Sequence, residues 1–226
     1  MLYMIDSANI EAIRRCVDLY PVAGVTTNPT LVSREHRPLA DILKDIRSVI
    51  GNDRMLHVQV SASDSETMIA EAHRLNEFVG GEFIVKVPVS APGMKAIRLL
   101  SQQGMRVTAT AILSAQQALM AAVAGAEFLA PYINRLDNIG GDGCKVAADI
   151  VHLLKVHQLP SKVLGASFKN VQQVQELAMA GAQSVTVAPD VFENLIRHPL
   201  TDSGLTQFHA DWVQAFGEGK TILDML

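Results

Sequence analysis

AGAEFLAP at Ala124–Pro131 and AGAQSVTVAP at Ala180–Pro189 repeat one pattern: a helix end, a glycine, a short apolar strand, and a proline where the chain leaves the sheet. Outward from these two, the same alternation runs from end to end. Short β-rich runs fall at Leu2–Asp6, Val22–Thr26, Leu56–Ser61, Phe83–Val89, Arg106–Ile112, Glu127–Tyr132, Lys162–Ser167 and Ser184–Ala188. Most are apolar throughout, as strands buried on both faces are. Amphipathic segments lie between them. Leu39, Ile42, Leu43, Ile46, Val49 and Ile50 share a helical stripe that Gly51 ends. Met68, Ile69, Ala72 and Leu75 repeat it behind an Asp64 cap, and Val171, Val174 and Leu177 repeat it before Gly181. Eight strands, each followed by a helix, predict an α/β fold: an eight-stranded parallel βα (TIM) barrel. An open doubly wound sheet is the alternative, but no GxGxxG opens a helix and no GxxxxGKS/T loop occurs.

No Pro/Gly/Ser-rich linker divides the chain, so residues 1–226 are expected to form a single domain. Beyond the eighth unit, Leu205, Phe208, Trp212 and Phe216 have helical spacing and include the only tryptophan, which makes 202–226 an additional C-terminal helix and tail. Spacing alone allows that helix to cap its own barrel or to lie on a neighbouring subunit, where Trp and Phe favour buried interface cores.

The 226 residues are 49% hydrophobic and 19% charged, enough apolar mass to offset the entropy of ordering, which excludes a disordered or fibrous chain. No apolar run approaches the ~18 residues of a membrane span. The start, MLYMIDSAN, lacks a basic leader with an apolar stretch and cleavage site, so a cytoplasmic protein is expected. Cys16 and Cys144 have no CxxC spacing and read as reduced thiols. A net charge of -4 without a basic block argues against a nucleic-acid groove.

Barrel chemistry sits at the C-terminal strand ends. The polar residues there are Asp6, Thr26 with Asn28, Gln59, Lys86, Thr110, Tyr132 with Asn134 and Arg135, and Ser167 with Lys169. They come from seven strands and converge on one rim. Lys86 says most. Inside Phe83-Ile84-Val85-Lys86-Val87-Pro88-Val89 its ammonium would lose hydration, and burial favours the neutral amine that adds to ketones and aldehydes. The protonated imine so formed is an electron sink for cleavage of the adjacent carbon–carbon bond. The competing reading is an edge-strand lysine snorkelling to water.

Tyr132 could exchange a proton with a water or substrate hydroxyl, or simply pack with its hydroxyl satisfied. Gln59 and Thr110 can hold a water but cannot act as acid or base at neutral pH. Asp6 could accept from substrate hydroxyls, or equally cap the following helix. Arg135, Ser167 and Lys169 follow strands six and seven, where a guanidinium fork, a hydroxyl and an ammonium suit a phosphate dianion; as solvated loop charges they would have no such role. Metal chemistry has little support: the seven histidines form neither HExxH nor an i,i+4 pair. His57 shares a strand face with Gln59 and could line the barrel. No GxSxG elbow occurs, and Cys144 has no base to make it a nucleophile.

GVTTNPT (Gly24–Thr30), VKVPVS (Val85–Ser90), APYINR (Ala130–Arg135), GGDG (Gly140–Gly143) and GASFK (Gly165–Lys169) together resemble the transaldolase family, nearest its short bacterial branch of fructose-6-phosphate-aldolase type. The resemblance spans nearly the whole chain. It implies a class I lyase or transferase without metal or cofactor, with Lys86 as the Schiff-base lysine. Asp6 and Asn28 would contact substrate hydroxyls, with Thr26 nearby. Gln59, Thr110 and Tyr132 would hold the catalytic water, Tyr132 relaying the proton. Arg135 and Ser167, with Lys169 beside them, would bind the sugar phosphate.

Within the family, transaldolases resemble one another in a glutamate at the position of Gln59 and a phenylalanine at that of Tyr132. Glutamine and tyrosine therefore imply aldol cleavage of fructose 6-phosphate to dihydroxyacetone and glyceraldehyde 3-phosphate. The alternatives are transfer of a dihydroxyacetone unit between sugar phosphates or related anionic sugars, and a non-catalytic sugar-phosphate-binding barrel. The sequence departs from the branch at Thr108 and Ala109, where leucine and glycine are usual, and in reading TNPT and VPVS for TNPS and VPVT. The first pair leaves the donor open among dihydroxyacetone, hydroxyacetone and glycolaldehyde. The resemblance also implies a homo-oligomer, a pentamer ring or stacked decamer with the C-terminal helix on the neighbour; hydropathy and charge, as above, predict no membrane or nucleic-acid partner.

Overall fold

The computed structural model describes residues 1–226. The elements run β1 (Leu2–Asp6), α1 (Ile10–Leu19), β2 (Val22–Thr26), α2 (Pro29–Ser33), α3 (Leu39–Ile50), β3 (Met55–Gln59), α4 (Ser65–Val79), β4 (Phe83–Pro88), α5 (Ala91–Gln102), β5 (Val107–Ile112), α6 (Ala115–Val123), β6 (Phe128–Pro131), α7 (Ile133–Asp137), α8 (Gly143–Val156), β7 (Lys162–Gly165), α9 (Val171–Met179), β8 (Ser184–Val187), α10 (Pro189–Asn194) and α11 (Pro199–Phe216). All eight strands pair in parallel and β8 closes on β1. The fold is the βα barrel expected, with the extra C-terminal helix. A closed barrel has no edge strand, so the edge reading of Lys86 fails.

The first two strands match the sequence reading; most others end one or two residues earlier than expected. Their last residues leave the ladder to build the rim. Ser167 turns into a left-handed backbone (φ 64), and Tyr132 keeps only an isolated bridge to Ala166 before opening α7. The caps act locally. Asp64 Oδ1 accepts from the Thr67 N–H at 2.8 Å, and Gly51 (φ 71) ends α3. Asp6 does not cap α1: Asn9 does, accepting from the Ala12 N–H at 3.0 Å.

Register decides which inward side chains share a level, stepping up about one residue per strand. The lowest level holds Gly24, Ile84, Phe128 and Ser184, and the next Met4, His57, Thr108 and Leu164. Above these come Thr26, Lys86, Ala130 and Thr186, then Asp6, Gln59, Thr110 and Ala166. Met4, Ile84, Phe128 and Leu164 form one fully buried cluster. Gly24 must be glycine, since a Cβ there would stand 2.4 Å from the Met55 carbonyl oxygen.

The chain separates into two compact units, Met1–Phe192 and Glu193–Leu226. The first is the barrel. The second holds α11 and a 3-10 turn at Ile222–Asp224. Helix α11 starts at Pro199, three residues before the expected 202, because His198 Nδ1 accepts from the Leu200 N–H at 3.2 Å and a proline suits the first turn. Within this unit Trp212 stacks at a tilt on Phe216, centroids 4.5 Å apart, and its indole N–H donates to the Lys220 carbonyl at 2.7 Å.

Candidate active site

Strand β4 carries Lys86 to the third level with 5% of its surface exposed. Its stem crosses β3, and Nζ donates to the Thr27 carbonyl at 2.8 Å. The partner is a dipole rather than a carboxylate. Burial therefore holds the amine below the ordinary lysine value of 10.5, and Asp6 opposes that only through space. Such an amine is a nucleophile closer to neutral pH than an exposed one.

Asp6 stands one level above, at the end of β1. The Thr26 hydroxyl donates to its Oδ1 at 2.7 Å, and Thr186 Oγ1 lies 2.8 Å from the same hydroxyl. The carboxylate is aimed by a two-threonine chain and keeps its other oxygen for a ligand. Asn28 spends its carbonyl oxygen capping α2, accepting from the Leu31 N–H at 3.0 Å, which leaves its amide N–H groups as donors.

Gln59 is the register neighbour of Lys86 on β3. Its Oε1 is buried without a partner, as is His57 Nε2 two residues below on the same strand face. Buried orphans are rare and mark groups that a ligand or water completes. Thr110 and Tyr132 close the other side, hydroxyl to hydroxyl at 3.4 Å. Left-handed backbone at Ala111 (φ 59) and Ser167 (φ 64) brackets Tyr132, whose N–H donates to the Ile112 carbonyl at 3.0 Å. Non-glycine residues held there are strained, and such strain gathers at working sites.

Arg135 projects exposed from the last turn of α7, its guanidinium 4.6 Å from the Tyr132 ring centre. Ser167 is brought to the same edge, for its carbonyl accepts from the Asn134 N–H at 3.0 Å. Lys169 is exposed further along the loop, with its backbone N–H bonded to Gln173 Oε1 at 2.8 Å. Thus Asp6, Thr26, Lys86, Gln59, Thr110 and Tyr132 occupy the top of the barrel, Asn28 opens α2 beside them, and the three anion-binding candidates form an outer arc. Cys144 has no part in this: burial, then its contact with Glu176, pushes its thiol up to about 12.

The pattern of the transaldolase/fructose-6-phosphate aldolase family matches residues 3–219. The chain belongs to this family. It is an enzyme of transaldolase or fructose-6-phosphate-aldolase type.

A cavity of about 460 Å³ opens beside the ends of β2 and β3, lined by Thr27, Asn28, Gln59 and the α4 residues Glu71, Arg74 and Leu75. Lys86 is not in its wall, so it is a groove on the helical side of Gln59 rather than the mouth above the lysine. The sequence reading did not find Thr186, the Thr27 carbonyl, or the bond from His57 Nδ1 to Thr108 Oγ1 at 2.9 Å. The single signal for the last was the shared face of His57 and Gln59.

Proposed function

We propose that the protein is a class I aldolase cleaving fructose 6-phosphate reversibly to dihydroxyacetone and glyceraldehyde 3-phosphate. The observation that carries this reading is Lys86: a buried amine bonded only to a carbonyl, below a ring of groups able to move protons and hold water. The neutral amine adds to the C2 ketone, and the carbinolamine takes up one proton, which the closing hydrolysis gives back, and loses water to leave an iminium. Asp6 takes the proton of the C4 hydroxyl as the C3–C4 bond breaks and its electron pair flows into the iminium. Glyceraldehyde 3-phosphate leaves. Tyr132 protonates the three-carbon enamine at C3, and a water held by Gln59 and Thr110 hydrolyses the new iminium. Dihydroxyacetone departs, Lys86 is regenerated, and the proton on Asp6 returns through the water to Tyr132.

Asn28 holds a substrate hydroxyl in this scheme, and Thr26 lies at the substrate-binding end beside it, aiming Asp6. Arg135, Ser167 and Lys169 hold the phosphate, which fits their place on the outer arc. No metal or cofactor is needed, because the iminium is itself the electron sink. We further propose a cytoplasmic homo-oligomer, a pentamer or decamer, in which residues 202–226 lie on a neighbouring subunit. Its partners are sugar phosphates rather than nucleic acid or membrane. No helix is long and apolar enough to cross a membrane.

The second reading is transfer of the dihydroxyacetone unit to another sugar phosphate. Gln59 cannot deprotonate a water, whereas the Tyr132 hydroxyl beside Thr110 can deliver a proton to the enamine, and this favours release over transfer. The test is fructose 6-phosphate alone, without an acceptor aldehyde. Accumulation of free dihydroxyacetone with glyceraldehyde 3-phosphate is expected. Turnover that appears only when erythrose 4-phosphate is added would instead make the enzyme a transaldolase.

A further inference from the structure

The outer arc of Arg135, Ser167 and Lys169 rides on two segments with little regular structure of their own. Helix α7 is five residues long, and residues 166–170 between β7 and α9 are loop. Gln173, in the first turn of α9 and only 8% exposed, bonds to both. Its Oε1 accepts from the Lys169 N–H at 2.8 Å, which holds the loop. Its Nε2 donates to Asp137 Oδ2 at 2.6 Å and lies 3.4 Å from Asn134 Oδ1, which holds α7 near both ends. The Asn134 N–H donates in turn to the Ser167 carbonyl at 3.0 Å and closes the ring. Each anion-binding candidate is therefore at, or next to, a bonded residue. Asp137 is itself braced, because its Oδ1 accepts from the Gly143 N–H at 2.8 Å. Gly143 ends the GGDG stretch, to which the proposed mechanism gives no task. A Cβ there would stand 2.3 Å from the Ile133 carbonyl oxygen, so α7 and α8 meet backbone to backbone. A buried amide with its oxygen and both N–H groups committed is a stiff strut.

We propose that Gln173, braced by Asp137, is the positioning residue of the outer arc, setting the spacing of Arg135, Ser167 and Lys169 and with it a preference for phosphorylated over unphosphorylated aldehydes. The inference rests on that arc as the phosphate-binding end in the function proposed above. None of the bonds Gln173 makes goes to Lys86, Asp6, Thr110 or Tyr132, so an aldehyde without phosphate has no need of them. A phosphorylated one does, since a misplacement of about 1 Å in a positioning contact can cost about 10²-fold.

The test gives the full-length enzyme dihydroxyacetone with either glyceraldehyde 3-phosphate or glyceraldehyde and compares kcat/KM for the two acceptors. Wild type is expected to favour the phosphorylated one. In Gln173→Leu that preference falls at least about tenfold, through KM for glyceraldehyde 3-phosphate, while kcat/KM for glyceraldehyde stays within about threefold of wild type. Gln173→Glu keeps an acceptor for the Lys169 N–H but sets a carboxylate against Asp137, and it loses about tenfold as well. Adding Asp137→Asn reverses donor and acceptor between the two side chains, and the preference returns to within about threefold of wild type. Should Gln173→Leu not fold, Gln173→Glu and its recovery decide. A preference unmoved by the single changes, an equal loss on both acceptors, or a double change without recovery overturns the proposal. Wild type separates the two levels of the argument. A wild-type preference that the variants leave unmoved defeats only the Gln173 role, whereas no wild-type preference defeats the reading of the arc as the phosphate site.

Discussion

Below the level of Lys86 the barrel axis is filled by Met4, Ile84, Phe128 and Leu164, fully buried and packed on one another. Above it stand Asp6, Gln59, Thr110 and Tyr132, linked by sparse contacts such as the 3.4 Å approach of the Thr110 and Tyr132 hydroxyls. The lower half is held by removing apolar surface from water, about 25 cal/mol per Å². The upper half gives up that gain in exchange for polar groups with bonding capacity unused. Lys86 sits at the boundary, where the apolar half lowers its proton affinity and the polar half supplies proton partners. The His57–Thr108 pair breaks the rule by placing polarity a level too low, and this is why it stands out.

The largest effect should come from the boundary itself. Lys86→Met is expected to reduce turnover to background while the fold survives, stabilised by about 1 kcal/mol at neutral pH. The sign follows from proton linkage. Burial lowers the folded value below 10.5, so the unfolded chain binds the proton more tightly and native stability rises as pH climbs towards 10.5. Denaturant melts of the variant should therefore lack that rise, and a variant that keeps turnover contradicts the account. Next, Phe128→Ala cuts the lower half and should cost about 3–5 kcal/mol in urea unfolding, with loss of activity only in step with loss of fold. Tyr132→Phe cuts the upper half. It should lower kcat for cleavage about 10²-fold with stability changed by less than about 1 kcal/mol, so the two substitutions dissect the halves in opposite ways.

The smallest expected effect concerns the misplaced polarity. Burial, then the Lys86 and Arg106 charges, hold His57 well below the ordinary imidazole value of 6.5. The unfolded chain then takes up the proton first, and stability drains away as pH falls from 6.5, by at most about 1.4 kcal/mol per pH unit. Urea melts between pH 6.5 and 4.5, above the range where Glu127 titrates, should show a shallower slope in His57→Phe/Thr108→Leu than in wild type. Equal slopes would mean that the ring is solvated.

The barrel was legible because its strands are apolar runs, and helices such as Leu39–Ile50 carry a stripe and a stop glycine. The strand ends were less so, since a residue such as Ser61 is drawn out of the sheet by Glu71, whose carboxylate takes both its N–H and its hydroxyl at 2.7 Å. The short helices Pro29–Ser33, Ile133–Asp137 and Pro189–Asn194 are too brief to show periodicity. The rim residues could be listed from strand ends, but what aims them could not. Asp6 has an equally good local use as a cap until the Thr26 hydroxyl, twenty residues away in sequence, is seen to donate to it. His57 and Thr108, separated by fifty-one positions, meet only through the register of β3, β4 and β5.

The most direct measurement is mass spectrometry of the enzyme reduced with borohydride in the presence of dihydroxyacetone. A single three-carbon adduct located on Lys86 is the predicted result. An unmodified chain, or an adduct on any other lysine, would contradict the account.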